Sequence, residues 1–314
     1  MLSNNIKARA VMAALVILSA LVSSVSCLAQ NIDTAAIRAL VGARKDSAKS
    51  RIRPYKEVVP ASAKTSRGLF VIHKVDDRWL AEIPDSLLGR DMLVVNRIVR
   101  APGGMTAIKL LGAGAMSYAG DEIGHNVIRF DKLTEDKVYL RSISFDERAS
   151  DTSSNGLYRN LMNNIMQPIE AAFPIKAINE AGKSVVIDLT EFIGSDNAVL
   201  YFNPALKPWL SITGLAADRS FIDHIKAFPM NIEITTVRTY IGAPAPGGGG
   251  GGPRTYELNS SIVLLPGKPM QARPADDRVG FFAEDYVDFD ANPQGIRKET
   301  NIWRWRMEPR PEDR

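Results

Sequence analysis

Short runs of alternating or β-branched apolar residues, each closed by turn residues, recur from Leu69 onward and constrain the fold most strongly. "GLFVIHKVDDRWLAEIP" holds two such runs joined at Asp76 and Asp77, which is the pattern of a β-hairpin. A second pair, "NVIRFDKL" and "KVYLRSISF", is joined by "TEDK". Because the period of two dominates, the sequence predicts an α+β fold that is predominantly antiparallel β-sheet. Further strands are predicted at "RDMLVVNRIVR", "SVVIDLTEF", "MNIEITTVRTY" and "TYELNSSIVLLP".

A few short helices are predicted between these strands. In "GLYRNLMNNIMQPIEAAF" the apolar residues recur every four positions, which predicts a helix with one apolar stripe. Pro168 should end or kink this helix, since proline lacks the backbone N–H. Two other short helices are predicted near residues 32–41 and 218–227. The stripe consists of Leu157, Leu161, Ile165 and Ile169.

The glycine-rich segment 243–254, "APAPGGGGGGPR", lies between two of the strongest strand candidates. Six consecutive glycines lose much backbone freedom on ordering. The sequence therefore predicts a disordered loop inside one domain. The phosphate-binding interpretation fails, because "PRT" follows the glycines where Gly-Lys-Ser/Thr and a helix are needed.

The first 29 residues have the features of a secretory signal peptide. Lys7 and Arg9 precede an apolar run that ends in small residues, and cleavage is predicted after Ala29. The alternative is lipidation of Cys27, but Ser24 occupies the position where a lipoprotein signal usually has leucine. The protein is therefore expected to be exported, as a periplasmic, secreted or outer-membrane associated protein.

Removing residues 1–29 leaves a chain without cysteine, since Cys27 is the single cysteine. Disulfides, thiolate metal sites and a cysteine nucleophile are then excluded. The formal charge falls from +4 to +2 with the loss of Lys7 and Arg9, which argues against nucleic acid as the partner. No later segment predicts a transmembrane helix.

Composition and hydrophobic pattern divide the chain into five parts. Residues 1–29 are the signal peptide, and residues 30–67 form an extended polar lead-in. Residues 68–90 form a small N-terminal β-hairpin region, and residues 91–308 form a β-rich domain that contains the flexible loop 243–254. Residues 309–314 are the C-terminal tail.

A search for catalytic or metal-binding residues gives no convincing constellation. The three histidines, His73, His125 and His224, have no spacing that places two metal ligands together, and solvent exposure is their expected state. "DYVDFDANPQG" places three aspartates within six residues, but it departs from the calcium-loop pattern. No Gly-x-Ser-x-Gly motif is present. Neither catalytic residues nor a cofactor or metal site is therefore predicted within this sequence.

Two stretches, "KPMQARPADDRVGFF" and "TNIWRWRME", carry a resemblance to a known family. With the strand segments before them, they resemble the N-terminal half of large secreted bacterial zinc-dependent metalloproteases. The resemblance covers about residues 50–308. It spans two consecutive regions that the family labels as domains of unknown function, with a boundary near residues 88–91.

In that family, a metzincin-like catalytic domain with an extended His-Glu-x-x-His zinc motif follows these regions. None of its zinc ligands can be placed on this sequence, so the resemblance implies no peptidase activity for this chain by itself. It implies a non-catalytic N-terminal accessory region that supports or shields a peptidase domain, in cis or in trans. The zinc cofactor would belong to that domain.

The stretch 274–290 is expected to form a turn and strand that face the peptidase domain. Alternation places Val279, Phe281 and Ala283 on one side of this strand. On the last strand, the two tryptophans should share one face, with Arg304 and Arg306 opposite. The residues predicted to make the interdomain contact are Asp276, Asp277, Arg278, Phe281, Phe282, Tyr286, Trp303 and Trp305.

Three other interpretations remain open at the level of sequence, and one of them is an unrecognised hydrolase that uses scattered carboxylates. The stretch 274–290 fits a plain two-sided sheet edge equally well. The whole chain also fits an independent cell-envelope binding module, whose glycine loop and aromatic-acidic C-terminal face hold a polysaccharide or a protein.

Overall fold

The computed structural model describes residues 52–103, 118–149, 151–153, 156–208, 210–242, 251–292, 295–305 and 307. These residues form three β-sheets, joined by short helices and 3₁₀ turns. Almost all strand pairs are antiparallel, so the predicted β-rich α+β class is confirmed. The signal peptide, the helix predicted near residues 32–41, the loop residues 243–250 and the tail lie outside the described residues.

The large sheet has the strand order β11-β13-β14-β4-β5-β6-β8, and β12 pairs with β13. Its longest hairpin pairs β13 with β14 from Asn231↔Val263 to Ile241↔Pro253, so the glycine segment connects two neighbouring strands. The strands are β4 (Asp91–Arg100), β5 (Glu122–Thr134), β6 (Lys137–Ser142), β8 (Ile169–Pro174), β11 (Ile212–Leu215), β12 (Phe221–Ala227), β13 (Asn231–Gly242) and β14 (Pro253–Leu264).

The N-terminal sheet has the order β1-β2-β3-β10-β9. The predicted hairpin is confirmed, since β2 pairs with β3 across a turn in which Asp76 takes a φ of 52°. β3 also pairs with β10, which comes about 100 residues later. The strands are β1 (Lys64–Arg67), β2 (Val71–Val75), β3 (Arg78–Pro84), β9 (Ala177–Asn179) and β10 (Ser184–Asp188).

A third, C-terminal sheet has the order β16-β15-β7, and its β15–β7 pair is parallel. The strands are β7 (Glu147–Arg148), β15 (Ala283–Asp288) and β16 (Arg297–Ile302). The described α-helices are short: α1 (Tyr55–Val58), α2 (Tyr158–Asn164) and α3 (Thr190–Gly194). The 3₁₀ turns are Asp85–Leu87 and Ala217–Arg219.

The N-terminal sheet and the large sheet share one hydrophobic core. Phe70, beside the first hairpin, packs edge-to-face on Phe130 of β5 with ring centroids 5.6 Å apart, an arrangement that aromatic pairs favour. The outer face of the N-terminal sheet carries a smaller cluster, in which α1 covers Leu80 and Val186 with Val58. Residues 52–67 of the polar lead-in therefore contribute a helix, a strand and a buried side chain to the fold.

The predicted helix 157–169 is only partly correct. α2 ends at Asn164, before Pro168, and Ile169 belongs to β8 instead. Of the predicted stripe only Leu161 is buried within α2. The helix ends early because asparagines at positions 163 and 164 favour turns over helix, and because the next residues pair with β6.

The helix predicted at residues 218–227 is wrong. The segment is a 3₁₀ turn followed by β12, which pairs with β13 through a register shift between Ile222 and His224. The backbone of this segment forms a strand pair with β13. This tertiary pairing overrides the helix propensity of the segment. The run "SVVIDLTEF" also splits, because the Asp188 carboxylate accepts a hydrogen bond from Thr190 N at 3.0 Å where α3 begins.

Gly68 lies where two segments approach closely, and substituting it should destabilise the fold. A Cβ at this position would lie 2.4 Å from the backbone N and O of Phe228. We expect Gly68→Ala to lower the free energy of unfolding by about 1–3 kcal/mol, the usual cost of overpacking. Gly214→Ala is the control, since no atom lies within 4 Å of the added Cβ. Equal urea midpoints for the two variants would contradict this prediction.

Candidate interaction surface

The C-terminal sheet presents most of the residues that the sequence singled out. β15 and β16 pair in register from Ala283↔Ile302 to Asp288↔Arg297. A preceding segment runs along the free edge of β16, where Ala275 N donates to Thr300 O at 2.9 Å and Ile302 N donates to Arg273 O at 3.0 Å. This pairing fixes the turn that follows, residues 276–282, beside the end of the sheet.

Asp276 and Arg278 form a closed local pair in that turn. The Asp276 carboxylate accepts hydrogen bonds from Arg278 N at 3.0 Å, Nε at 2.8 Å and Nη2 at 2.5 Å. The Arg278 guanidinium lowers the pKa of the Asp276 carboxyl to about 2. Since the Arg278 side chain is 87% exposed, this pair shapes the turn without burying charge. Asp277 is exposed beside it.

The predicted strand alternation across residues 279–286 is wrong for its first part. Val279 N donates to Asp276 O at 2.9 Å and Phe281 N donates to Val279 O at 3.0 Å, so these backbone groups close local turns. The strand begins at Ala283. Because the turn consumes the hydrogen bonds, Val279 and Phe281 do not share a strand face with Ala283.

The two C-terminal tryptophans also lie outside a strand, because β16 ends at Ile302. One further hydrogen bond, from Trp303 N to Phe282 O at 2.8 Å, joins the two segments. The predicted face with Arg304 and Arg306 opposite is therefore not formed as a strand face. Arg304 donates a hydrogen bond to Gln271 O, and the side chain of Arg306 lies outside the described residues.

Four aromatic side chains meet in solvent at this end of the sheet, and we call this group the aromatic surface. Phe282 and Trp303 pack with centroids 6.2 Å apart at 36°. Together with Arg304, the four line an open depression of about 390 Å³. Such a concentration of apolar area is unusual for a solvated face and typical of an interaction site. The members are Phe281 (60% exposed), Phe282 (83%), Trp303 (63%) and Trp305 (87%).

Tyr286 has a different environment from the aromatic surface. Its ring is half-buried under the Arg148 guanidinium, whose central carbon lies 4.1 Å from the ring centroid. This cation–π contact joins β15 to β7. The structure therefore brings Phe281, Phe282, Trp303 and Trp305 together, and leaves Tyr286 as a packing residue of the same sheet.

The aspartates of the calcium-like stretch are all engaged by neighbouring groups. Asp285 pairs with Lys298 Nζ at 2.6 Å and accepts from Thr300 Oγ1 at 2.6 Å, while Asp288 accepts from Asp290 N at 2.8 Å. Within the described ranges, no three His, Cys, Asp or Glu side chains are placed to hold a metal ion. None of the helices in these ranges has the length and hydropathy needed to cross a bilayer.

The histidines differ from their expected exposure in one case. His125 is exposed and His224 is partly exposed, and they pair with the local carboxylates of Glu122 and Asp223, each at 2.7 Å. His73, by contrast, is only 3% exposed. The prediction was wrong for His73 because the outer face of the N-terminal sheet is covered by the α1 segment, which the sequence placed in a polar lead-in.

A buried polar network surrounds Glu82 on that covered face. One carboxylate oxygen accepts from Ser184 Oγ at 2.5 Å and Asn179 Nδ2 at 2.7 Å. The other accepts from Tyr55 Oη at 2.7 Å and lies 3.0 Å from His73 Nε2. Burial alone would raise the Glu82 pKa, but these four hydrogen bonds outweigh it and lower the pKa to about 2.

The network also changes the pKa of its phenol, Tyr55. Partial burial, together with the hydrogen bond to the Glu82 carboxylate, raises the pKa of Tyr55 to about 12. Tyr55 thus stays neutral and donates a hydrogen bond to the carboxylate, which attaches α1 to the sheet. Glu82 was not identified from the sequence, because two of its partners, Asn179 and Ser184, come from segments about 100 residues away, which no local pattern reveals.

A buried arginine, Arg238 of β13, is a second feature that the sequence did not indicate. It is 1% exposed, and its guanidinium donates to the carbonyls of Ile193 at 3.1 Å, Gly194 at 2.8 Å and Ser195. These carbonyls belong to the C-terminal end of α3, where helices leave acceptors unpaired and attract cations. The guanidinium also stacks 3.8 Å from the centroid of the Tyr201 ring.

Comparison with known families matches two models to this chain. The model of a domain of unknown function, DUF5117, matches residues 120–310, and that of a second, DUF5118, matches residues 52–101. Neither a curated protein nor a solved structure matches the chain significantly. Two consecutive domains of unknown function are thus present, while the boundary near residues 88–91 stays a prediction.

Proposed function

The chain belongs to the DUF5117 family, and on that premise we propose that it is a non-catalytic accessory region that binds a metzincin-like peptidase domain. The region would support or shield the peptidase of an exported zinc-dependent metalloprotease-like protein, and the zinc would be held by that peptidase. The proposal combines the resemblance of the sequence with one structural observation, the aromatic surface.

The composition of the aromatic surface is typical of a surface that binds a protein partner. Tryptophan and other large aromatic residues are enriched where protein interfaces concentrate their binding energy, often beside arginine. The surface combines Phe282, Trp303 and Trp305 with Arg304. The turn made by Asp276 and Arg278 forms a charged border next to it, as expected for the polar rim of an interface.

The experiment begins by sequencing the DNA downstream of the segment that encodes this chain and the neighbouring genes. We expect a zinc-motif polypeptide to be encoded there, and we expect it to bind the present chain when the two are produced separately. Calorimetry measures the affinity. A zinc-motif polypeptide that shows no binding would contradict the proposal.

Substituting the aromatic surface should weaken that complex without unfolding the chain. We expect Phe282→Ala and Trp305→Ala each to raise the Kd by about 10- to 30-fold, the effect of removing an aromatic residue from the centre of an interface. Phe221→Ala is the matched control, since Phe221 is 56% exposed on β12 of a different sheet. A Kd that neither Phe282→Ala nor Trp305→Ala changes would assign the contact to another surface.

The non-catalytic part of the proposal has a separate test. We expect the purified chain to hydrolyse no peptide substrate above the level of a mock preparation. Turnover that is abolished by substituting one side chain of this chain, or one bound zinc ion per chain, would overturn it.

An independent cell-envelope binding module is the second candidate, and the open geometry of the same depression favours it. The Phe282 and Trp303 rings leave accessible faces, which suit stacking on sugar rings as well as on a protein. Retention of the chain on insoluble envelope polysaccharide, lost in Phe282→Ala and Trp305→Ala, would support this function over the first.

A further inference from the structure

A second, larger cavity lies away from the aromatic surface. It has a volume of about 770 Å³ and is enclosed by the large sheet, helix α2 and the C-terminal sheet. This volume falls within the usual range for small-ligand sites. Its walls have different chemistry, and each wall restricts what can bind.

The wall from the large sheet carries two arginines. Arg129 of β5 and Arg141 of β6 are directly opposite each other in the antiparallel ladder, and both line the cavity. Like charges in this position repel. Asp91 holds Arg129 at 2.7 Å and Asp131 holds Arg141 at 3.1 Å, so each guanidinium is fixed by its own carboxylate on the cavity wall.

These two arginines keep donors for a further acceptor. Arg129 uses Nε and Nη2 toward Asp91, and Arg141 uses Nη1 toward Asp131. Their side chains are only 30% and 21% exposed. Because guanidinium groups bind carboxylates with paired hydrogen bonds, a ligand carboxylate between them would use the remaining donors and reduce the repulsion.

The wall from α2 is apolar. Leu161, Met162 and Ile165 line it, and Met162 remains 48% exposed although it faces the cavity. An apolar group beside the ligand carboxylate would bury this surface, which favours binding in proportion to the area removed from water. These two walls together suit an anion that carries an apolar group.

The wall from the C-terminal sheet distinguishes a peptide from a fatty acid. Glu147 of β7 and Asp288 of β15 line it beside Arg148. Their carboxylates are acceptors and suit a ligand with N–H donors. A peptide has such donors on its last residue and on the residue before it, whereas a fatty acid has none.

We propose that this cavity binds the carboxyl-terminal end of a peptide whose last residues are apolar. Arg129 and Arg141 receive the terminal carboxylate, and Met162 packs on the terminal side chains. Glu147 and Asp288 accept from the peptide N–H groups. The proposal does not depend on the aromatic surface, because the two sites share no residue.

Calorimetry with N-acetyl-Leu-Phe tests the proposal on the whole chain. We expect a Kd of about 10–100 µM, as ligands of this size usually reach, and at least about tenfold weaker binding of the corresponding C-terminal amide. Laurate, which has the carboxylate and the apolar group without N–H donors, should bind less tightly than the peptide. An amide that binds as well as the acid would overturn the proposal, and so would laurate binding as tightly as the peptide.

Two variants locate the site. Arg141→Gln should weaken the acid at least about tenfold and leave the amide almost unchanged, because it removes only the charged contact. Met162→Glu should weaken both ligands, and Met166→Glu is its control, since Met166 is 85% exposed and does not line the cavity. Before the binding measurements, the thermal melting of each variant is compared with that of the unmodified chain to show that the variant is folded. Unchanged acid affinity in both folded cavity variants would place any binding elsewhere and refute the proposal.

Discussion

Replacing Arg238 by alanine should lower the free energy of unfolding by about 3–5 kcal/mol, because buried carbonyls would lose hydrogen bonds from a charged donor. Three carbonyls at the C-terminal end of α3 would lose their donors, those of Ile193, Gly194 and Ser195. Water cannot replace the guanidinium easily, because the site is almost completely buried. Urea unfolding of the variant and of the unmodified chain measures the difference.

The size of this effect comes from unsatisfied acceptors and lost stacking together. Each hydrogen bond from a charged donor contributes about 1.5–3 kcal/mol, and the Arg238 guanidinium also packs on Tyr201. Burial raises the pKa of Tyr201 to about 12, so the ring stays neutral beside the cation at ordinary pH. The loss therefore does not depend on ionisation of the phenol.

Two further variants distinguish the effect of these contacts from the effect of removing any arginine. Arg238→Lys keeps the charge but not the planar set of donors, so an intermediate loss is expected. Arg159→Ala removes an exposed arginine from α2 and should leave the stability unchanged. If Arg238→Ala unfolds at the same urea concentration as Arg159→Ala, the guanidinium contacts do not stabilise the fold.

Strands were predictable in this chain because their signal is local. The pairs β2–β3 and β5–β6 follow from alternating residues around short turns, and the sheet partners are neighbours in sequence. Helices were less predictable. Residues 221–227 became β12 since a partner strand was available along β13, and no window of sequence contains that information.

The candidate site shows the same division. The aromatic residues near positions 281 and 303 were identified by composition, and pairing of β15 with β16 brings Phe282 and Trp303 together. Their arrangement was not predictable, because Asp276 and Arg278 close a turn that ends the strand pattern. The cavity beside Arg141 depends on four separate segments, and its residues carry no shared motif.

Glu82 should make the stability of the fold depend on pH in the acid range. Its carboxyl has a pKa of about 2 in the folded protein, against an ordinary value of 4.5. A carboxyl whose folded pKa is lowered stabilises the fold above its unfolded pKa, and this stabilisation is lost as the pH falls from about 4.5 toward 2. The full contribution is about 3 kcal/mol, since one pKa unit corresponds to about 1.4 kcal/mol.

Substituting Glu82 by glutamine tests this linkage directly. Glutamine has nearly the same shape but no charge, so Glu82→Gln should be less stable than the unmodified chain by about 2–4 kcal/mol at pH 6, and the difference should shrink as the pH is lowered to 3. Asp277→Asn is the matched control, because its carboxyl group is exposed and lies outside the Glu82 network. Urea unfolding between pH 6 and 3 should therefore show a reduced pH slope only for Glu82→Gln, and parallel slopes for all three proteins would mean that the Glu82 network does not stabilise the folded carboxylate.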